Sequence, residues 1–187
     1  MTSDSTTAES LPTLRYHVDP VASGSVVASN NNRRRCKKVR GFIYTGPAYS
    51  DEELDDALCP WCIADGSAFE KFDATFVDSE AFDGDASEES MSTICERTPG
   101  FNAWQSEQWP SCCGEPAAFL TPASYDDIQK RFPRLEGTLM MYIVQKMGIS
   151  GSAATRTLES LKRDQSPTAF VFKCLHCDGM PAYVDAV

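Results

Sequence analysis

Polar and apolar positions alternate in short blocks along this chain, and each block predicts a short element. Residues 1–13 are Ser/Thr-rich and predict a disordered tail. From Tyr16 the chain turns apolar and turn-rich through His17, Val18, Asp19, Pro20 and Gly24, which predicts an ordered extended arm. Asn30, Asn31 and Asn32 predict a loop. Residues 41–45, with Phe42, Ile43 and Tyr44 at their centre, read as a strand stopped by Gly46 and Pro47. Ser50 followed by Asp51, Glu52 and Glu53 has capping-box form and predicts an acid-rich helix to about Leu58. A second helix is expected over 67–72, with Phe69, Phe72 and Phe76 as its apolar face.

Hydrophobicity then falls across 78–92, which reads as a flexible acidic linker or loop at the boundary between two halves. Residues 97–101 predict a turn, and Trp104 and Trp109 read as packing anchors. Residues 117–120 predict a strand, and Ser124 a cap for a helix through Phe132, ended by Pro133. Leu135, Leu139, Tyr142, Ile143 and Met147 recur at helical spacing up to Gly148, a C-terminal stop. Met140 and Met141 beside them read as core filler. A helix over 152–163 precedes two apolar runs, 169–172 and 182–184, that predict a final hairpin.

The division this implies is a tail at 1–13, an N-terminal cysteine-knuckle half at 14–77, the linker at 78–92, and a C-terminal half at 93–187. The fold class is α+β: small antiparallel β hairpins and zinc-ribbon-like units with a helical insertion in the C-terminal half. The 187 residues allow one domain or two small ones, and 42% hydrophobic residues suffice for a core. No apolar run approaches the roughly 20 residues of a membrane span. The N-terminus lacks secretory-signal form, so a cytoplasmic, reducing location is expected, where close-spaced cysteines bind metal or do redox work.

The formal net charge of -10 argues against a nucleic-acid partner, because polyanion affinity comes mainly from lysine and arginine. The charge is uneven. Residues 33–40 hold six basic side chains and no acid, whereas 51–96 hold fifteen acids against one base, Lys71. Solvated faces explain both runs, with a targeting or phosphate-binding role for the basic one as the alternative.

The chemistry is in the eight cysteines. Cys174 and Cys177 form a CxxC turn between the two C-terminal apolar runs, the hairpin half of a zinc ribbon. A tetrahedral zinc needs two such pairs, and Cys112 and Cys113 are the expected second one. Two adjacent cysteines can share one ion only through a strained turn, so Cys95 is the alternative to Cys112. His176, inside the knuckle, is expected on the surface. In the N-terminal half Cys36, Cys59 and Cys62 offer three thiolates, a zinc site whose fourth position is open or filled by His17, or one that has lost its metal. One or two zinc ions are therefore expected. Cys59-Pro60-Trp61-Cys62 also has the form of a thioredoxin-like redox turn, but the predicted helix precedes Cys59, and nearby acids would raise its pKa. Each half carries a cysteine before a strand and a CxxC later, a weak internal echo. Asp55 and Asp56 read as helix-end acids and not as a catalytic pair. No catalytic or organic-cofactor residue is assigned, and the balance is against an enzyme.

Several segments resemble the CbrC protein family: 44–47, 55–68 and 71–74, with Tyr16-His17, Asp19-Pro20, Gly24-Ser25, 97–101 and 166–169. The resemblance spans the chain from about residue 14. It implies a bacterial-type protein with cysteine knuckles, no established enzymatic activity, and an association with tolerance to a colicin. The family pattern implies further cysteines before the first strand, where this chain has Arg33 and Arg35 and keeps only Cys36. Its last knuckle carries Asp178 before Gly179, where relatives continue directly with glycine. The function expected on this basis is a zinc-stabilised module that binds another protein. Thiol–disulfide exchange at Cys59 and Cys62, or hydrolysis at an open zinc, is the alternative.

Overall fold

The structure is a computed structural model that describes residues 10–30, 36–83 and 86–187. It is α+β, and the chain divides into two compact units: residues up to Glu80 with Glu88–Asn102, and Ala81–Ser87 with Ala103–Val187.

In the first unit, β1 (Val26–Ala28) pairs antiparallel with β2 (Phe42–Tyr44), Val26 opposite Tyr44. The short helices α1 (Pro60–Ala64) and α2 (Ser67–Phe72) follow, then α3 (Glu88–Arg97). Val26, Tyr44, Leu54, Leu58, Ile63, Phe72 and Phe76 form the core with Cys59 and Cys62. Tyr44 meets Phe76 edge-on at 5.5 Å, donates its hydroxyl hydrogen to the Pro47 carbonyl at 2.6 Å, and accepts from the Gly100 N–H at 3.1 Å. Gly100 is obligatory there, since a Cβ would lie 2.0 Å from the Phe76 carbonyl oxygen.

Two elements differ from the sequence expectation. Residues 51–58 are not helical. The Ser50 hydroxyl donates to the Phe72 carbonyl at 2.7 Å while accepting from the Glu52 N–H, and Asp56 adopts φ +51°. Five acids within six residues repel one another on a helix, and only Leu54 and Leu58 have apolar surface to bury. An irregular turn buries both leucines without helical crowding of the charges. Conversely, 88–92 are not linker but the first half of α3. Glu88 and Glu89 sit at its positive end and Arg97 at its negative end, and burial of Ile94 and Cys95 anchors it. Within 78–92, residues 84–85 lie outside the described residues, as do most of the predicted tail and Asn31, Asn32, Arg33, Arg34 and Arg35.

In the second unit, β3 (Ser111–Cys112) and β4 (Glu115–Pro116) make a tight hairpin. A three-stranded antiparallel sheet then runs β5 (Ala118–Ala123), β6 (Thr168–Lys173) and β7 (Ala182–Asp185), with β6 central. Between β5 and β6 lie α4 (Tyr125–Arg131), α5 (Glu136–Gln145) and α6 (Gly151–Glu159), the helical insertion. Ser124 caps α4 through a reciprocal box with Asp127. Alternation along β6 sends Ala169 and Val171 to a core with Ile128, Leu139, Ile143 and Leu158. Phe170 and Phe172 contact Phe119 and Tyr183, and Phe172 also meets Trp109 edge-on at 5.7 Å.

Trp109 is the expected anchor, fully buried with its indole N–H on the Ala117 carbonyl. Trp104 is not: it is 41% exposed and its indole N–H reaches the Thr168 hydroxyl. Met140 packs against the core, but Met141 is 58% exposed. Adjacent helical positions diverge by about 100°, so both could not face inward. No helix among the described residues is long and apolar enough to cross a membrane.

Candidate metal centres

The second unit assembles Cys112, Cys113, Cys174 and Cys177, their four sulfur atoms all within 4.8 Å of one another. The sheet register does this. Ala118 at the start of β5 pairs with Lys173 at the end of β6, so the turn before β5 and the turn after β6 meet at one end of the sheet. The adjacent pair shares the site through a two-residue hairpin turn in which Cys113 (φ +56°) and Gly114 (φ +78°) are both left-handed. That is the twist-compatible geometry for a two-residue hairpin, and it brings both sulfurs to one side. Cys95 is not in the group. It lies on α3 of the first unit, and Cys112 takes the place considered for it.

Cys112 and Cys113 sulfurs are 3.8 and 3.6 Å from that of Cys177 and 4.0 Å from each other. A disulfide would need about 2.05 Å. Four thiolates around a tetrahedral ion at about 2.3 Å would stand roughly 3.8 Å apart, so the set could hold a metal ion. The 174–179 loop is closed by the Cys174 N–H on the Gly179 carbonyl at 2.8 Å. Backbone N–H groups of His176 and Gly179 point at the sulfurs of Cys174 and Cys177, at 3.4 and 3.3 Å. Gly179 leaves room for the sulfurs: a Cβ would lie 3.1 Å from both Cys112 and Cys177 Sγ.

Without a cation four adjacent thiols cannot all ionise. The Cys174 thiol falls to about 6, chiefly through the His176 N–H. Cys112 is pushed up to about 12 by its bond with Cys174, and Cys113 rises through Cys177. The site is ready to hold one anion and needs a metal charge to hold four. His176 is half-exposed, its Nε2 paired with the Glu115 carboxylate. That pair links the CxxC loop to the β3–β4 hairpin.

The first unit groups Cys36, Cys59 and Cys62. Cys59 and Cys62 sulfurs are 3.4 Å apart and Cys36 is 3.9 Å from Cys59. Here the helix follows the first cysteine: Cys59 is extended, Pro60 opens α1, and the Cys62 N–H bonds the Cys59 carbonyl. This knuckle therefore leads into a helix, whereas that of the second unit joins two strands. The expected elevation of Cys59 by neighbouring acids is reversed. The side-chain hydrogen bond between the Cys59 and Cys62 sulfurs lowers the Cys59 thiol to about 6 and raises that of Cys62. His17 is not the fourth ligand. It is buried, with Nδ1 on the Pro99 carbonyl at 2.6 Å and Nε2 on the Ser23 hydroxyl at 2.8 Å.

The residue missed from sequence is Glu115, and the close approach of Gly179 to the sulfurs was not foreseen. The glycine two places after the second cysteine of a CxxC was the available signal for that approach. Nothing local marks Glu115.

Residues 11–186 match the description "Uncharacterised protein family (UPF0167)". This chain belongs to that family. UPF0167 protein Mb2317 of Mycobacterium bovis and UPF0167 protein MT2352 of Mycobacterium tuberculosis are each 39% identical over 183 residues, 97% of both chains. UPF0167 protein PA1536 of Pseudomonas aeruginosa is 38% identical over 171 residues, 89% of this chain and 92% of that protein. No solved structure matches this UPF0167 chain.

Proposed function

We propose that this UPF0167 protein is a zinc-stabilised protein-interaction module of the cytoplasm. The observation that carries it is the closed set of four thiols from Cys112, Cys113, Cys174 and Cys177. Four protein ligands leave no coordination position for a substrate, which is the pattern of a structural ion. When bound, the ion neutralises thiolates that otherwise compete for protons, and clamps the β3–β4 hairpin to the 174–179 loop. The protein's task is then to present a surface, and its partner is another protein. The resemblance to the CbrC family supports a role in colicin tolerance by sequestering or rerouting such a partner.

Native mass spectrometry of protein purified without chelator tests the ion. The expected result is that Cys174→Ser loses one zinc per chain; an unchanged count, or none in the wild type, overturns the reading. The cellular role predicts that a deletion strain regains colicin tolerance with the wild-type gene and not with Cys174→Ser. A second reading, thiol–disulfide exchange at Cys59, is favoured by its 3.4 Å approach to Cys62 and its lowered thiol. Insulin-reductase activity lost in Cys59→Ser with metal content unchanged would establish it instead.

A further inference from the structure

We propose that Cys36, Cys59 and Cys62 form a second metal site completed by a ligand from outside the chain, and that this ligand is a small acidic thiol. The inference does not depend on the C-terminal site. The three sulfurs lie within 4.8 Å of one another. Cys59 and Cys62 are 0% and 2% exposed among Leu58, Ile63 and the partly buried Phe42 and Trp61, while half-buried Cys36 is the solvent side. A thiophilic divalent ion takes four ligands, so one position is open.

The chain has no further cysteine or histidine to offer the group. Of eight cysteines, four belong to the C-terminal group and three to this one, and Cys95 is outside both. Of two histidines, His17 has both ring nitrogens on Pro99 and Ser23, and His176 is paired with Glu115. Among the described residues no carboxylate joins the group. The segment just before Cys36, 31–35, is Asn and Arg throughout. Residues 1–9 and 84–85 hold no cysteine or histidine, and their carboxylates, Asp4, Glu9 and Asp85, are hard oxygen donors.

The surroundings choose the ligand. Three thiolates and a divalent ion among apolar walls favour a fourth sulfur over water, by ligand softness and by the low polarity of the site. That sulfur brings a further negative charge. Exposed Lys37 and Lys38 directly follow Cys36, and the Arg40 guanidinium stands 5.2 Å from the Trp61 ring inside the CxxC loop. An added anion is therefore tolerated, and carboxylates on the incoming molecule gain cationic partners. The thiol gives its proton to solvent as its sulfur binds the ion, and no electrons move.

The full-length protein loaded with two equivalents of Co(II) is titrated with reduced glutathione, and in parallel with neutral 2-mercaptoethanol. The expected result is a rise of about one-seventh in sulfur-to-cobalt charge-transfer absorption, as seven bound thiolates become eight. Half-saturation should need roughly tenfold less glutathione than 2-mercaptoethanol. Cys36→Ser should abolish the rise and Cys177→Ser should preserve it. Cadmium-113 NMR of the wild type gives the same answer without a variant: one of two resonances moves with glutathione. No response to either thiol, a response surviving in Cys36→Ser, or binding of a single ion confined to the C-terminal cysteines overturns the site. The last of these leaves the structural zinc reading intact. Equal affinity for the two thiols overturns the acidic ligand.

Discussion

Lowering the pH perturbs one buried group whose effect can be worked through in full. His17 is enclosed in the first unit, and because a carbonyl can only accept, its Nδ1 must carry the proton it gives to Pro99. Burial outweighs that bond and the nearby Asp19 charge, and lowers the imidazole from 6.5 to about 4. The folded state therefore refuses a proton that the unfolded chain accepts. Stability from this group is whole above pH 6.5, drains as pH falls from 6.5 to about 4, and is gone below, where both states are protonated. The gap corresponds to about 3 kcal/mol, a large part of the stability of a typical domain. Long-range proton–nitrogen correlation spectra of the imidazoles read it directly. The chain has two histidines, and His176→Gln identifies the other. His17 should stay neutral in the Nδ1–H form at pH 5.5, and urea melts should show the loss between pH 7 and 4.5 in excess of that in His17→Asn. A His17 midpoint within half a unit of 6.5 in folded protein would refute the reasoning.

Three further outcomes are expected. Gly100→Ala drives a Cβ to 2.0 Å from the Phe76 carbonyl and should cost about 3 kcal/mol in urea denaturation, seen in the first unit. Ser124→Ala breaks the capping box of α4 and should cost about 1 kcal/mol by the same assay, with metal content unchanged. Gly179→Ala presses on Cys112 and Cys177 sulfurs at 3.1 Å and should weaken the C-terminal metal about tenfold in a chelator competition.

Where a feature depends on neighbours within a turn or two, the residues announced it. Ser124 and Asp127 cap α4 as their spacing requires, Gly148 takes φ +70° after α5, and the runs at 169–172 and 182–184 pair as β6 and β7. The two CxxC turns were equally legible, because three-residue spacing suffices to bring two sulfurs together. The same local logic failed at Ser50, where a correct capping pattern competed with repulsion among five acids and a hydroxyl bond to Phe72, 22 residues away. It failed again at 88–92, whose helix rests on Ile94 and Cys95 finding a core.

What sequence alone determined, then, is the strands at 42–44, 118–123, 168–173 and 182–185, the cap of α4, and which cysteines come in pairs. Tertiary structure decided which pairs come together. Opposing Ala118 to Lys173 carries Cys112 and Cys113 to Cys174 and Cys177 across more than sixty residues, and no short-range signal encodes that register. It follows from burying Ala169 and Val171 on one face of β6 and Phe170 and Phe172 on the other, since a slip of one residue would exchange the two sets.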